Sequence, residues 1–444
     1  MQALLDKAKG RTEYSEIYHL KQRVVPVKFA PGGISSAEAR RVEGVAMRVV
    51  VDDRFGYVAS TDLAHSDDIV DAAVTAAAYG AEADLAFPDT PANSLEGLHA
   101  SGTATQSVES LVALGEEIRR RLAEARPDAE ASVGVTLVVD EISYHNTHRV
   151  DAAEQSSAIK VSVELARSKP GDVFTVDRGF QARTLSELAV ESCTHEVLHL
   201  MGLAEDIVAA PSGEMPVVLT SHAAIALVLP LMFSLNGELA GTGMSPFAAK
   251  VGETLFDNAF CLCDDGRNVA GSIAGAFDTE GTPTQRTVLI DRGTLQGFFH
   301  DRRSAQRMGV EPTGNGLKGG LTSVFGHRQF RPLPEAMFSH FEVATGAASQ
   351  EDLIREVDNG LLIDSVLGLG QGNILAGEFS NNVAVGYRIE NGRVTGRVKD
   401  VMISGNSYDL LKGHLLGVGD DPGWFAGRLF SPSIAVSGVN VASR

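Results

Sequence analysis

The segment His195-Glu196-Val197-Leu198-His199 has residue types and a spacing that could support metal-dependent hydrolysis. On a helix, the two imidazoles lie one turn apart and can bind Zn²⁺, while Glu196 would act as general base on a metal-bound water. Glu205 follows three residues after a glycine, where some zinc peptidases have a third ligand, although that ligand is usually His. One hypothesis is therefore a zinc metallopeptidase with His195, His199 and Glu205 as ligands and Glu196 as the base.

The helix that must carry this motif suggests a simpler role. We expect it to run from about residue 188 to 201, and at about 100° per residue its apolar side chains form one stripe. His195 and His199 fall on the opposite side of the helix. We therefore favour a surface helix whose polar face contains the motif, and no catalytic or metal-binding residue in this chain. The predicted apolar stripe consists of Val190, Cys193, Val197, Leu200, Met201 and Ala204.

Two further pairs of residues could take part in chemistry. Asp278 and Glu280 could form a carboxylate pair, but the Gly-Thr-Pro that follows them predicts a turn. Cys261 and Cys263 fall on one face of a predicted strand. Because no second cysteine pair lies nearby, they are better explained as core or surface thiols than as metal ligands.

The composition argues against several classes of function. The chain has 38 Lys and Arg against 57 Asp and Glu, a formal charge of −19, and no long basic run, so nucleic acid is not an expected partner. Three cysteines cannot form a disulfide framework, which indicates a reducing compartment. The first 20 residues carry charges throughout and lack a secretory apolar region. We expect a cytoplasmic protein without membrane association.

Glycine usage divides the chain into two parts, with 13 glycines in residues 1–212 and 33 in residues 213–444. Dense glycine indicates many tight turns between strands. We predict an α+β protein with a mixed N-terminal region at 1–212, a possible sub-boundary near 100–130, and a β-rich C-terminal domain at 213–444. In the first part we expect helices at 67–83 and 108–125 and strands at 132–139 and 158–166.

The most apolar segment is AAIALVLPLMF at 223–233, which follows a predicted strand at 216–219. It is too short to cross a bilayer, and we predict a helix capped near Ser221. A helix this apolar must bury most of its circumference. Part of that burial could come from a second subunit, so we expect a dimer.

Long stretches of the second half resemble the TldD/PmbA family, also known as modulator of DNA gyrase. The resemblance covers essentially all of 213–444, and the first half fits the family's general layout less specifically. It implies a peptidase system in which a TldD-like metallopeptidase pairs with a PmbA-like (TldE) subunit around a cavity for unfolded or modified peptides. The matching stretches are FDTEGTPTQRTVLIDRGTLQGFFHDRRSAQRMG (277–309), TGNG (313–316), GQGNILAGEFSNNVAVGYRIENGRV (370–394), MISGN (402–406) and SPSIAVSGVNV (431–441).

The resemblance also implies where a metal site would lie. In the catalytic subunits, a His-Glu-x-x-x-His helix follows the first strand of the C-terminal domain, and a Cys near the C-terminus completes the site. Here the corresponding segment at 220–226 contains His222 but no adjacent Glu and no second His, and the C-terminal segment at 419–436 has no Cys. This pattern resembles the PmbA/TldE-like subunit, with zinc expected in a TldD-like partner.

The function that we predict from the sequence is therefore the metal-free subunit of a TldD/TldE-type peptidase complex that degrades or processes small peptides. The partner would be a TldD-like chain, or a second copy of this chain in a homodimer. Two alternatives stay open. One is a zinc peptidase acting through residues 195–199, and the other is a peptide-binding or scaffold protein without enzymatic activity.

Overall fold

A computed structural model describes residues 1–319 and 327–443. The fold is α+β, as predicted, with about 22% helix and 41% strand. None of the helices in the described residues is long and apolar enough to span a membrane.

The N-terminal half is built on one antiparallel sheet in the order β4-β3-β1-β5-β6-β7, with β2 paired to the end of β1. The strands predicted at 132–139 and 158–166 are much longer in the structure and form a hairpin. Their outer ends carry buried polar residues such as Asp140 and Asn146, which interrupt the alternation used to predict a strand. The strands are β1 (Tyr14–Ala30), β2 (Gly33–Ala37), β3 (Arg40–Val51), β4 (Arg54–Ser60), β5 (Glu130–Asn146), β6 (Asp151–Lys169) and β7 (Asp172–Ala182).

Five helices pack on this sheet. The helix predicted at 67–83 ends earlier, because residues 81–83 hydrogen-bond with the backbone of Asp53 and Phe55 beside β4. The predicted helix at 108–125 is confirmed, and the side chain of Ser107 caps its first turn. The helices are α1 (Gln2–Ala8), α2 (Ser66–Ala77), α3 (Ser101–Ala104), α4 (Val108–Ala125) and α5 (Val190–Leu203), with a 3₁₀ turn at Leu185–Glu187.

In the described part of the C-terminal half, the strands form three sheets. In the largest sheet, the strand order is β15-β8-β22-β18-β16-β17. Because β15 also pairs with β16, the strands from β15 to β16 in this order form a closed ring. The second has the order β11-β10-β9-β14-β21-β20, and the third is the pair β12-β13. The strands are β8 (Gly213–Leu219), β9 (Leu262–Asp265), β10 (Arg286–Asp291), β11 (Thr294–Leu295), β12 (Gly316–Lys318), β13 (Pro334–Ala336), β14 (Phe341–Val343), β15 (Asn359–Leu367), β16 (Glu378–Glu390), β17 (Arg393–Arg397), β18 (Val401–Asn406), β19 (Leu415–Val418), β20 (Gly423–Phe425), β21 (Leu429–Ser431) and β22 (Ile434–Ser443).

The apolar segment forms a short helix whose N-cap is Ala224, three residues beyond the cap predicted near Ser221, and no side chain caps it. A turn at 221–224 precedes the helix, and Thr220 rather than Ser221 uses its side chain, accepting a bond from the Ala223 N–H at 3.3 Å. The helices of this half are α6 (Ile225–Ser234), α7 (Gly237–Gly241), α8 (Arg302–Met308), α9 (Gln350–Arg355) and α10 (Ser407–Gly413), with a 3₁₀ turn at Ile374–Ala376.

The largest C-terminal sheet lies between two apolar cores. Val217 and Leu219 of β8 face the core that contains α6, whereas Val218 faces the core that contains α4 and α5. The second core therefore joins residues from both sides of position 212. Most of α6 is buried within its own chain, while Leu229 and Phe233 are half-buried, so the dimer expected from the sequence stays a prediction.

Candidate functional site

Helix α5 presents the HEVLH motif as the helical wheel predicts. Cys193, Val197 and Met201 of the apolar stripe are buried, and His195 and His199 are exposed on the opposite side. The centroids of the two imidazoles are 6.4 Å apart. The helix is fixed to the C-terminal sheet by the hydroxyl of Tyr387 on β16, which donates to a backbone carbonyl of α5 at 2.6 Å.

The proposed third zinc ligand, Glu205, is engaged by two arginines. Its carboxylate oxygens lie 2.7 Å from Nη1 of Arg126 and 3.2 Å from Nη1 of Arg167. Arg167 is buried, so a carboxylate that moved to a metal would leave a buried cation without its counterion. Within residues 1–319 and 327–443, no group of three or more His, Cys, Asp or Glu side chains is arranged to hold a metal ion.

The segment between β8 and α6 contains His222 as its single imidazole. The Nδ1 atom of His222 lies 3.3 Å from the backbone carbonyl oxygen of Asp364, and its ring packs edge-on against Phe425. Burial, and then the nearby charge of Arg178, lower the pKa of His222. The imidazole is therefore neutral near pH 7.

An ion-pair network centred on the buried Arg178 lies beside His222 and joins three elements and the turn between β8 and α6. The guanidinium of Arg178 on β7 donates to Asp364 Oδ1 on β15 at 2.6 Å, to Glu196 Oε1 on α5 at 2.7 Å and to the Asp177 carbonyl at 2.8 Å. Thr220 also donates to Asp364 Oδ1, at 3.1 Å. Burial opposes the charge of Arg178, but Asp364 and Glu196 outweigh that effect and raise its pKa. The network thus carries a permanent cation.

Arg178 and Glu196 of this network, together with His222, line one cavity of about 250 Å³. The structure therefore brings Glu196 of the HEVLH motif next to His222 of the strand–helix junction, while His195 and His199 do not line that cavity. Sequence reasoning missed Arg178 and Asp364. The one local signal was the acidic residue inside the apolar run LLIDSVL, because an ionised side chain in a buried strand needs a partner.

The carboxylate pair considered from the sequence forms the predicted turn. Asp278 Oδ1 accepts the backbone N–H groups of Glu280 and Thr282, both at 2.9 Å, and Gly281 has a φ of 74°. Both carboxylates are buried, and Glu280 pairs with Arg48 at 3.1 Å. Cys263 is buried and Cys261 half-buried, and both are free thiols.

Trp424 at the same cavity packs against a buried histidine that makes folding sensitive to pH. The Nδ1 atom of His340 lies 2.8 Å from the Asp265 carbonyl, and its Nε2 accepts the Ile273 N–H at 3.2 Å. This arrangement requires a neutral ring, and burial, with the charge of Arg428, lowers the pKa of His340 to about 3.

We expect this histidine to destabilise the fold in acid. The unfolded chain binds a proton as the pH falls below about 6.5, while folded His340 stays neutral until about pH 3, so stability is lost between these values. Its share is about 2 kcal/mol between pH 7 and pH 5. Urea unfolding of His340→Asn should show a correspondingly smaller loss over that interval. The exposed variant His195→Asn should behave as the wild type, and an unchanged pH dependence in His340→Asn would contradict the assignment.

Comparison with known proteins gives two family matches. Residues 212–443 match the family described as PmbA/TldA metallopeptidase C-terminal domain, and residues 15–79 match PmbA/TldA metallopeptidase domain 1. A metalloprotease TldD homologue of Buchnera aphidicola is 28% identical over 57% of this chain and 51% of its own length. The chain thus spans about half the length of that relative. A metalloprotease PmbA homologue of Haemophilus influenzae is 23% identical over 87% of this chain and 83% of its own length.

The fold is also found in a solved structure. The crystal structure of TldE from Thermococcus kodakarensis superimposes with a TM-score of 0.89 and covers 100% of both chains, at 24% identity. The two chains therefore share their architecture from end to end.

Proposed function

We propose that this chain, which belongs to the TldD/PmbA metallopeptidase family, is the PmbA/TldE-like subunit of a two-chain peptidase and binds no catalytic metal of its own. The partner would be a TldD-like chain that carries the zinc. The substrates would be small unfolded or modified peptides.

The observation that carries this proposal is the cation in the cavity beside the β8–α6 junction. Catalytic zinc usually needs three protein ligands, and this junction offers His222 alone. The two carboxylates nearby, Asp364 and Glu196, are both bound to Arg178. A metal ion would have to displace this guanidinium and leave it buried without a counterion. The donor set therefore does not fit zinc, and no hydrolytic step is assigned to these residues.

The rival hypothesis places zinc on His195 and His199. Its support is the parallel arrangement of the two exposed imidazoles on α5. The ion pairs of Glu205 with Arg126 and Arg167 argue against it, because they engage the carboxylate that would be the third zinc ligand. We therefore propose that α5 acts as a structural layer between the two halves.

In the complex, this chain would supply part of the cavity wall and a surface for extended peptides. Peptides held by main-chain hydrogen bonds to sheet edges are bound with little dependence on their sequence. Such a surface suits a peptidase that accepts many unfolded substrates.

Reconstitution tests the proposal directly. The purified chain should contain well under one zinc per molecule. It should not cleave unstructured peptides, such as fragments of casein. Mixed with a TldD-like chain from the same genome, it should form a complex that cleaves the peptide. The double variant His195→Ala/His199→Ala should support cleavage within about 2-fold of the wild type, since neither ring contacts the reaction.

The matched control replaces two exposed histidines elsewhere, His65→Ala/His99→Ala. One tightly held zinc per chain that is lost in His195→Ala would overturn the proposal in favour of the rival. So would a loss of about 100-fold or more in the complex with the double α5 variant, provided that the complex is intact and the control pair is active.

A further inference from the structure

A small polar cavity lies where strand β1 meets the C-terminal half of the chain. Tyr18 of β1 lines it together with Lys318 at the end of β12, Arg328 and Arg428, and its volume is about 30 Å³. A cavity needs at least about 10–15 Å³ to hold one water molecule. This cavity, which we call the Tyr18 cavity, therefore has room for one small particle and not for an organic ligand.

The hydroxyl of Tyr18 is a buried donor without an acceptor. Tyr18 is 3% exposed, and its hydroxyl makes no hydrogen bond with any residue in 1–319 or 327–443. Burial raises the pKa of Tyr18 against the opposing charge of Arg328, so the phenol keeps its proton. A buried O–H group is costly without a partner, which indicates that a particle in the cavity accepts this hydrogen bond.

The ammonium of Lys318 is buried in the same wall. Lys318 is 8% exposed, and its Nζ donates to the hydroxyl of Tyr57 and to the carbonyl of Pro332, both at 3.0 Å. It forms no ion pair with a described residue, and its third N–H remains for a ligand. Burial, followed by the charge of Arg48, lowers the pKa of Lys318 to about 7. A bound anion would favour the charged form of this side chain.

Two arginines add positive charge to the wall of the Tyr18 cavity. The side chains of Arg328 and Arg428 are both more than nine-tenths buried. The carboxylates of Asp140 and Glu154 lie 3.7 and 3.8 Å from Arg328, but no Asp or Glu among the described residues lines the cavity itself. Buried cations that face one small space favour a negative ion in that space over a neutral water molecule.

We propose that the Tyr18 cavity binds a single monatomic anion, chloride. The hydroxyl of Tyr18 and the third N–H of Lys318 donate to the ion, and the two arginines contribute charge. The ion connects β1 to the C-terminal half and so stabilises the junction between the two halves of the chain. This site is independent of the proposed function, because none of its residues belongs to the Arg178 network.

Bromide, which resembles chloride and scatters X-rays anomalously, tests the site directly. In crystals of the wild type grown in sodium bromide, an anomalous peak should lie in the Tyr18 cavity within hydrogen-bonding distance of Tyr18 Oη and Lys318 Nζ. A cavity that holds only water, or that is empty, at a bromide concentration well above the Kd would overturn the proposal. This measurement does not depend on whether any variant folds.

Urea unfolding measures the binding in solution. When chloride replaces gluconate at constant ionic strength, the unfolding equilibrium constant should fall saturably, by about 10-fold at a chloride concentration of about ten times the Kd. Tyr18→Phe keeps the ring but removes the donor, and it should bind chloride about 10-fold more weakly. Tyr79→Phe, at an exposed tyrosine, should respond to chloride as the wild type does.

Lys318→Met tests the charge with a side chain of similar length. Chloride should change the unfolding equilibrium constant of this variant by less than about 2-fold, since the ion would lose its nearest ammonium. Lys412→Met, at an exposed lysine on α10, should keep the response of the wild type. The proposal is overturned if chloride stabilises the wild type no more than gluconate does. It is equally overturned if Tyr18→Phe and Lys318→Met both respond to chloride as the wild type does.

Discussion

Replacing Arg178 by Met should lower the free energy of unfolding by about 3–5 kcal/mol. The guanidinium is 5% exposed and is the ion-pair partner of Asp364, whose side chain is 1% exposed. Its removal leaves that carboxylate buried, with Thr220 as its one remaining side-chain donor among residues 1–319 and 327–443. Urea unfolding at pH 7, with the two-state slope unchanged, measures the loss.

Two comparison variants separate burial from charge. Arg120→Met removes an arginine that pairs with Glu117 and Glu124 on the exposed face of α4, and should cost about 0.5 kcal/mol. The double variant Arg178→Met/Asp364→Leu should recover at least about half of the loss, because replacing both partners removes the uncompensated charge. A loss below about 1 kcal/mol in Arg178→Met would show that the network does not hold β7, β15 and α5 together.

The pairing of Arg178 with Asp364 explains why the candidate site could be predicted only in part. The two residues are 186 positions apart, on strands of different sheets, and no local pattern relates them. The HEVLH helix was predictable because its role depends on a 3.6-residue period within 14 residues. The turn after Asp278 was predictable because Gly281 and Pro283 mark it locally. Contacts between distant strands leave no comparable signal.

The fold, like the candidate site, could be predicted from the sequence only in part. Hydrophobic periodicity and glycine usage predicted the α+β class and the helices α2, α4, α5 and α6, but the strands they predicted for the β5–β6 hairpin were too short. Its outer end faces a polar interior, where Gln22 donates to Asp140 at 2.8 Å. A strand whose buried face is polar does not show the alternation that identifies strands. The sequence likewise did not distinguish an apolar helix inside the chain from one at an interface, because both bury apolar surface.

Helix α6 is where that distinction can be measured. Leu227 is 0% exposed in the core that α6 shares with the largest C-terminal sheet. Leu227→Ala should therefore lower the free energy of unfolding by about 2–5 kcal/mol, through lost burial and the cavity left behind. Because the helix is covered by its own chain, the loss should not depend on protein concentration. Leu416→Ala, at a side chain that is 55% exposed, should cost less than about 0.5 kcal/mol.

The dependence of the unfolding midpoint on protein concentration distinguishes burial of α6 by its own chain from burial by a second subunit. If a second subunit covered α6, diluting the protein would lower the unfolding midpoint of the wild type, and Leu227→Ala would act mainly by weakening that association. With α6 buried in its own chain, the variant should unfold at a lower urea concentration that is the same across a wide range of dilutions. If the difference in unfolding midpoint between the wild type and Leu227→Ala changed with protein concentration, the intramolecular role of this helix would be contradicted. If Leu416→Ala lowered the free energy of unfolding as much as Leu227→Ala does, the place of Leu227 in the core would be contradicted.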